Sequence, residues 1–544
     1  MFKRDNLSDF VGLFICIFTI LIIIYSLGFM KGKKGLIRYY TYIILTCAAS
    51  LGVVFANNLI LLMVFWGFLG VLLYVLIDFG ESKRTTYTAK KAFIIIGGTD
   101  AIMLLGLALV YKLSASFQID SISIPFYNNA AVGAYICLAA GAFAKAGAMP
   151  FHTWVPDTAE DAPIPVTAYL PASLDKLLGI YFLARISLDM FAMNQTMNTF
   201  LMVIGSITII AAVMMALIQH DLKRLLGYHA VSQVGYMLLG IGTGNPIGIA
   251  GGLFHMLNHA INKSCLFLSG GAVEKSTGTT NLDKLGNLVK IMPITFVTFL
   301  IASCAISGIP PFNGFASKWM VYQGIIETAS QTKWWIVWLT AAMFGSALTL
   351  ASFMKLLHAV FLGQPSIEIQ NTKYELRETS PLMWIPTVIL SGLCIIFGVL
   401  YYRIPFNMFI LPSIKKEIIF SGYWNGGPAT IMLGIGILIG CIIYFLGSKL
   451  TLRTTEVFAG GEDIEKFPEM RLSGTDFYTT VQDIGIFKFI YSLAEKKLFD
   501  IYEVCSKITF AFNSMLRYLH NGVLSTYLAW CLLGTGILFY ILLR

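Results

Sequence analysis

The chain has 544 residues, of which 57% are hydrophobic and 12% charged, with a mean hydropathy of +0.75. A soluble protein carries about twice that share of charge, so the composition excludes an ordinary soluble enzyme and leaves a chain folded in a bilayer. The net charge of +9 does not mark a nucleic-acid binder, because the basic residues gather in loops between apolar runs.

Runs long enough to cross about 30 Å of hydrocarbon recur from residue 10 to residue 543. They predict an all-α polytopic membrane protein with about fourteen spans. These lie near 10–30, 37–56, 58–79, 91–112, 130–157, 165–188, 197–219, 225–243, 246–271, 292–328, 334–362, 381–402, 428–446 and 523–543. A transmembrane barrel would instead alternate apolar and polar residues in strands of about ten. Lys31, Lys33, Lys34 and Arg38 follow the first span, Lys83, Arg84, Lys90 and Lys91 the third. Lys223 and Arg224 follow the seventh, and Lys275, Lys284 and Lys290 the ninth. The alternate loops are nearly bare apart from Arg403, Lys415 and Lys416. The positive-inside rule then puts the odd loops in the cytoplasm and both termini outside. The first apolar run is too long for a removable signal peptide, and no small-residue cleavage site follows it.

Nine cysteines are scattered singly, with no CxxC or cysteine–histidine grouping, and no glycine-rich nucleotide loop follows a strand. The chain is therefore expected to hold no cofactor and no metal of its own.

Four lysines stand inside apolar sequence: Lys145, Lys176, Lys263 and Lys318. An ammonium near a helix centre costs roughly 2.5–3.5 kcal/mol, so packing alone would not retain four. Lysine also shifts its proton affinity readily when buried, which suits it to carrying protons. GAMPFHTW (Gly147–Trp154) and GIPPFNGF (Gly308–Phe315) share glycine, proline, phenylalanine and a terminal aromatic in register. Each breaks a long apolar segment, and each has a lysine beside it. Five spans separate them, so the two units would face opposite ways, as in transporters built from inverted repeats with broken helices. A chance match in biased composition is the alternative.

His255, His259 and Lys263 fall at i, i+4 and i+8, on one stripe of one helix. HxxxH is also a metal spacing, but no third ligand accompanies it. A proton wire fits imidazole chemistry better; histidines that only hydrogen-bond between packed helices are the bland alternative. Asp100 stands alone in FIIIGGTDAIMLLGLAL and needs a cation or water. Asp175 precedes Lys176, but helical neighbours point about 100° apart and need not pair. His152 and Asp157 lie beyond the first break, where they could line an inlet. His229 is either a buried group or a solvated end residue. Lys355 and His358, near the end of their span, are expected to snorkel.

KAGAMPFHTWVPDTAEDAPIPV, QHDLKRLLGYHAVSQVGYMLLG, FHMLNHAINKSCLFLSGGAV and GIPPFNGFASK resemble the signatures of the antiporter-like membrane subunits of respiratory complex I. The same family includes subunits of Mrp-type sodium/proton antiporters and of membrane-bound energy-converting hydrogenases. The resemblance covers roughly residues 5–400. It implies two inverted five-helix repeats, proton or sodium translocation, and a prokaryotic inner-membrane location. Lys145 matches the central lysine of the first repeat, and Lys176 the lysine of the bridging helix. Lys263 matches the lysine after the paired histidines, and Lys318 the terminal lysine of the second repeat. The implied partners are sister antiporter-like subunits, a redox module (hydrogenase or dehydrogenase) and lipid.

Two departures stand out. NNLILLMVFWGFLGVLLYVLI resembles the family's helix with an essential glutamate after the tryptophan, and that position is Gly67 here. Asp100 is the expected substitute anion for Lys145. The match also begins at the family's third helix, so two leading helices would be lost or supplied by a separate small subunit. After the polar stretch TLRTTEVFAGGEDIEKFPEM, an amphipathic segment from Ile484 to His520 resembles the lateral helix of the long-armed distal subunits.

The domain reading is therefore 1–90 N-terminal helices, 91–245 first repeat region, 246–402 second repeat region and 403–475 penultimate helix and polar loop. Residues 476–522 form the lateral helix and 523–544 a final anchor. The functional reading is an ion-translocating subunit of a multi-subunit membrane oxidoreductase, itself without redox chemistry. A bridging subunit that has lost pumping, and an Mrp-type antiporter subunit, are the alternatives. H⁺ versus Na⁺ stays open.

Overall fold

The structure is a computed structural model that describes residues 1–80, 82–370, 376–414, 418, 426–447 and 474–543. Every apolar run forms helix. α1 (Asn6–Phe29), α2 (Leu36–Phe55), α3 (Leu59–Asp78) and α4 (Lys83–Ser114) come first. Asp5, Asn58 and Ser82 cap α1, α3 and α4 by accepting first-turn N–H groups that have no intrahelical partner. α5 (Asn129–Ala146) ends at the first break, beyond which lies α6 (Trp154–Asp161). α7 (Ile164–Tyr169) and α8 (Asp175–Arg185) are joined by a π-helical turn at Leu170–Leu174. α9 (Gln195–Leu217), α10 (Leu222–Gly242) and α11 (Pro246–Thr277) are next, then the second broken pair, α12 (Pro293–Ser307) and α13 (Asn313–Glu327). α14 (Trp335–Leu357), the short α15 (Ile367–Gln370), α16 (Pro381–Val399), the short α17 (Leu411–Ile414), α18 (Gly426–Gly447) and the short α19 (Thr479–Asp483) complete a unit of residues 1–484. Among the described residues the one sheet is a two-residue parallel pair, β1 (Ile124–Pro125) on β2 (Phe191–Ala192).

Nine described helices are long and apolar enough to cross a membrane. α10 and α11 are not among them, yet both are deeply enclosed: every residue of α11 from Ile247 to Val273 is buried. A helix walled by other helices can carry polar groups that a lipid-facing one cannot. α11 packs on α10, α12, α13 and α16, so its histidines and lysine lie in the middle of the protein.

The two breaks are built alike. α5 ends on Gly147 (φ +75°) and α12 on Gly308 (φ +85°). Gly147 N–H donates to Ala144 O and Ala148 N–H to Phe143 O, at 3.2 and 2.8 Å. Gly308 N–H donates to Ala305 O and Ile309 N–H to Cys304 O, both at 3.1 Å. This paired capping needs a left-handed residue, which glycine adopts without a Cβ penalty.

Residues 485–544 form a second compact unit. The single helix expected from Ile484 to His520 is two: α20 (Gly485–Glu495) and α21 (Ile501–Leu519). Lys497 turns the chain with φ +56°, and Asp500 caps α21 by accepting from Tyr502 N–H at 3.1 Å. A local cap thus outcompetes helix continuation. By rise per residue α21 is about 28 Å long, half the length expected of one unbroken helix. α22 (Leu524–Leu542) closes the chain. Lys415, Lys416 and the stretch 451–470 lie outside the described residues.

Candidate functional site

The last turn of α5 buries Lys145 to 1% exposure. Its Nζ lies 3.6 Å from Asp175 Oδ1 at the start of α8, and 5.5 Å from the centre of the Trp66 ring on α3. Trp66 Nε1 donates to Asp100 Oδ1 at 2.9 Å. Asp100 is within electrostatic range of Lys145, but the carboxylate that meets the ammonium is Asp175. The expectation that Asp100 is the substitute anion is corrected to that extent: Trp66 holds Asp100, and α8 supplies the nearer charge. At Gly67 a Cβ would meet no atom within 4 Å.

Lys176, fully buried, donates to the carbonyl of Ala146, the last residue of α5. A cation there also meets the negative end of the helix dipole. A Cβ at Gly147 would come 2.9 Å from Lys176 Nζ, so the glycine is the ammonium's seat. Lys318 lies beside the second break, where a Cβ on Gly308 would meet Lys318 Cδ at 3.1 Å. Its Nζ lies 4.7 Å over the ring of Tyr236.

On α11, His255 Nδ1 is 3.0 Å from Ser317 Oγ and Nε2 is 3.1 Å from Gln233 Oε1. The His255 and His259 rings are 6.5 Å apart. Neither nitrogen of His259, nor Nζ of Lys263 or Lys318, has a hydrogen-bond partner among the described residues. Lys263 Nζ sits 5.4 Å from the ring of Phe353 and 5.8 Å from that of Phe267. Lys263 is within electrostatic range of Lys176, and His259 of Lys263, His255, Lys176 and Lys318. Lys145, Lys176, His255, His259, Lys263 and Lys318 are each at most 2% exposed.

Two expectations change. His229 is fully buried against Phe353, with ring centroids 4.9 Å apart, and is not a solvated end residue. Lys355 does not snorkel: it is buried and donates to Leu217 O and Gln219 O at 2.7 and 2.8 Å, capping α9. Asp157 sits in an ion-pair cluster, 2.7 Å from Lys91 and 3.6 Å from Arg224. Beside it Glu160 pairs with Arg84 and, at 2.5 Å, Arg224, while Asp161 pairs with Arg84 at 2.6 Å. Burial pushes the Glu160 carboxyl up, but Arg224 and Arg84 more than offset it and hold it below its ordinary value. The cluster pins α6 to α4 and α10. His152 is buried at the first break.

Sequence reasoning missed Gln233, Ser317, Tyr236, Phe353 and Trp66 as neighbours of the predicted lysines and histidines. Gln233 was detectable, since it lies four residues from His229 within an apolar span. Among the described residues no group of three or more His, Cys, Asp or Glu is gathered for a metal ion.

Residues 56–349 match the NADH:quinone oxidoreductase/Mrp antiporter transmembrane family. The chain belongs to that family. Among curated relatives, an Na(+)/H(+) antiporter subunit of Alkalihalophilus pseudofirmus is 30% identical over 523 residues, 89% of this chain and 64% of that protein. Its counterpart from Staphylococcus epidermidis is 34% identical over 407 residues, 70% of this chain and 50% of that protein. The chain therefore spans between half and two thirds of the relatives' length. Of solved structures, an archaeal respiratory complex, the membrane-bound sulfane sulfur reductase, aligns with all of this chain and 89% of its own. The TM-score there is 0.82 at 25% identity. The Mrp complex from Dietzia sp. DQ12-45-1b aligns with 76% of this chain and 84% of its own, with TM-score 0.68 at 22% identity. This member of the antiporter family is thus a multi-pass membrane protein with the antiporter-like fold.

Proposed function

We propose that the chain is an ion-translocating subunit of a multi-subunit membrane complex, moving protons, or sodium, along the row Lys145, Lys176, Lys263, His259, His255 and Lys318. The observation that carries this is the burial of four lysines to 2% exposure or less at and between two helix breaks. Buried ammonium groups cost stability, and nothing in the packing of an inert spacer calls for them. Ions enter from the cytoplasm, reach the midplane lysines and leave near Lys318. Each protonation disfavours the next along the row, because like charges at short range oppose one another. Electrons run through other subunits. An electron-transferring assembly is favoured by the full-length likeness to the sulfane sulfur reductase complex. A redox-independent Na⁺/H⁺ antiporter is the second reading, favoured by the curated antiporter relatives.

The test replaces Lys145, Lys263 and Lys318 singly with alanine in the reconstituted complex and records ion uptake beside electron transfer. Uptake falls in each while the complex still assembles. Normal uptake in all three leaves the bridging reading that Gly67 allows. Redox subunits in the purified complex separate the first assembly from the second.

A further inference from the structure

Lys145, Asp175 and Lys176 hold two potential cations and one anion in a space closed to solvent, each at most 2% exposed. Only one ammonium can be fully matched at a time. Lys145 lies 3.6 Å from Asp175 Oδ1, longer than the roughly 2.7–2.9 Å of a locked charge-assisted bond. Asp175 Oδ2 has no hydrogen-bond partner among the described residues. Asp175 also feels the charge of Lys176, which leans on the Ala146 carbonyl, one residue beyond Lys145 at the same break. Among the described residues no other carboxylate comes within 4 Å of either ammonium; Asp100, the next, is held by Trp66. Asp175 directly follows the π-helical turn Leu170–Leu174, where its own N–H bonds back to Leu170 O. Such π-helical turns recur at functional sites.

We propose that Asp175 is a shared counter-anion that exchanges between Lys145 and Lys176 and so times the passage of a proton from one to the other; this rests on the translocation reading above. With Asp175 against Lys145, the unmatched Lys176 ammonium breaks an N–H bond and Lys263 amine gains it, directly or through water. With Asp175 turned to Lys176, Lys145 gives up its proton and Lys176 takes one. The carboxylate moves charge balance and carries no proton itself, which makes Asp175 a positioning residue acting through the lysines.

The experiment uses the reconstituted intact complex with ion uptake as the readout and native-gel assembly as the control. Asp175→Asn lowers uptake about tenfold or more, because it strands buried charge, while Asp175→Glu keeps it within about threefold. Asp175→Asn combined with Lys145→Ala leaves the same residual uptake as Lys145→Ala alone, since without Lys145 there is no exchange between the two lysines left for the anion to time. Normal uptake in Asp175→Asn, or a double variant that loses the product of the single losses, overturns the proposal. Should Asp175→Asn not assemble, Asp175→Glu decides alone: a loss of about tenfold in an assembled complex overturns it. Lys263→Ala separates the two readings. If it lowers uptake while Asp175→Asn does not, only the shared anion fails; if it changes nothing, the translocation reading fails.

Discussion

Arg185 Nη2 donates to Asp5 Oδ1 at 2.6 Å, joining the end of α8 to the cap of α1. Arg185 also bonds Asp189 at 2.8 Å and Tyr181 Oη at 3.0 Å, and Tyr181 Oη donates to Val54 O at 2.6 Å. One guanidinium therefore fastens the helix that carries Asp175 and Lys176 to α1, and through Tyr181 to the end of α2.

Burial pushes the Asp5 carboxyl up, but the hydrogen bond and charge of Arg185 more than offset it and hold it at about 2. A depressed carboxyl contributes stability that is present above its unfolded value and lost as pH falls through the folded one. The contribution of Asp5 is thus complete above about pH 4 and lost toward pH 2. Asp5→Asn should lower thermal stability at pH 7 by roughly 1–3 kcal/mol. The gap from wild type should close as pH falls through that window in detergent melts; a gap that persists unchanged at pH 2 contradicts the assignment.

Gly147→Ala should impair ion uptake more than it impairs folding. The left-handed φ costs about 1–2 kcal/mol for a Cβ-bearing residue, and that Cβ would also press on Val155 Cγ2 at 2.6 Å and Lys176 Nζ at 2.9 Å. Gly278 has the same φ of +75° with nothing within 4 Å, so Gly278→Ala isolates the backbone term. Equal uptake in the two variants would remove Gly147 as the seat of Lys176.

Gly67→Ala should be silent in both assembly and uptake, because the added methyl meets no atom within 4 Å. Comparing its melt and its uptake with wild type checks this directly; a loss of either shows that another subunit's surface fills that space.

Lys355→Met should destabilise the body without selectively stopping ion movement. It strips the charged donor from Leu217 O and Gln219 O at the end of α9, a loss of roughly 1.5–3 kcal/mol. The expected result is a lower melting temperature with uptake per assembled complex unchanged.

Deleting residues 485–544 should loosen neighbouring subunits on a native gel while leaving residues 1–484 inserted. The segment before the cut is tied into the body, with Tyr478 Oη donating to Ala351 O at 2.8 Å and Thr475 Oγ1 to Asp283 Oδ1 at 2.5 Å. An intact complex after the deletion would reduce α20–α22 to a private attachment.

The sequence by itself determined the features set by local periodicity and composition: the helical runs, the two glycine–proline breaks, the four lysines too deep for packing to explain, and the stripe His255–His259–Lys263. These are short-range properties, since a helix places i and i+4 on one face whatever surrounds it. Partner choice was not determined that way. Lys145 meets Asp175, Arg185 meets Asp5 and Lys355 reaches Leu217 only because the helices pack at particular rotations. The same limit made His229 and Lys355 ambiguous from sequence, for burial near a span's end depends on which helix stands alongside. The arm divided for a local reason that the amphipathic pattern concealed, the cap at Asp500. Tertiary packing decided which charges share a closed space, because an ionic contact depends on distances of a few ångströms between residues that the chain order keeps apart.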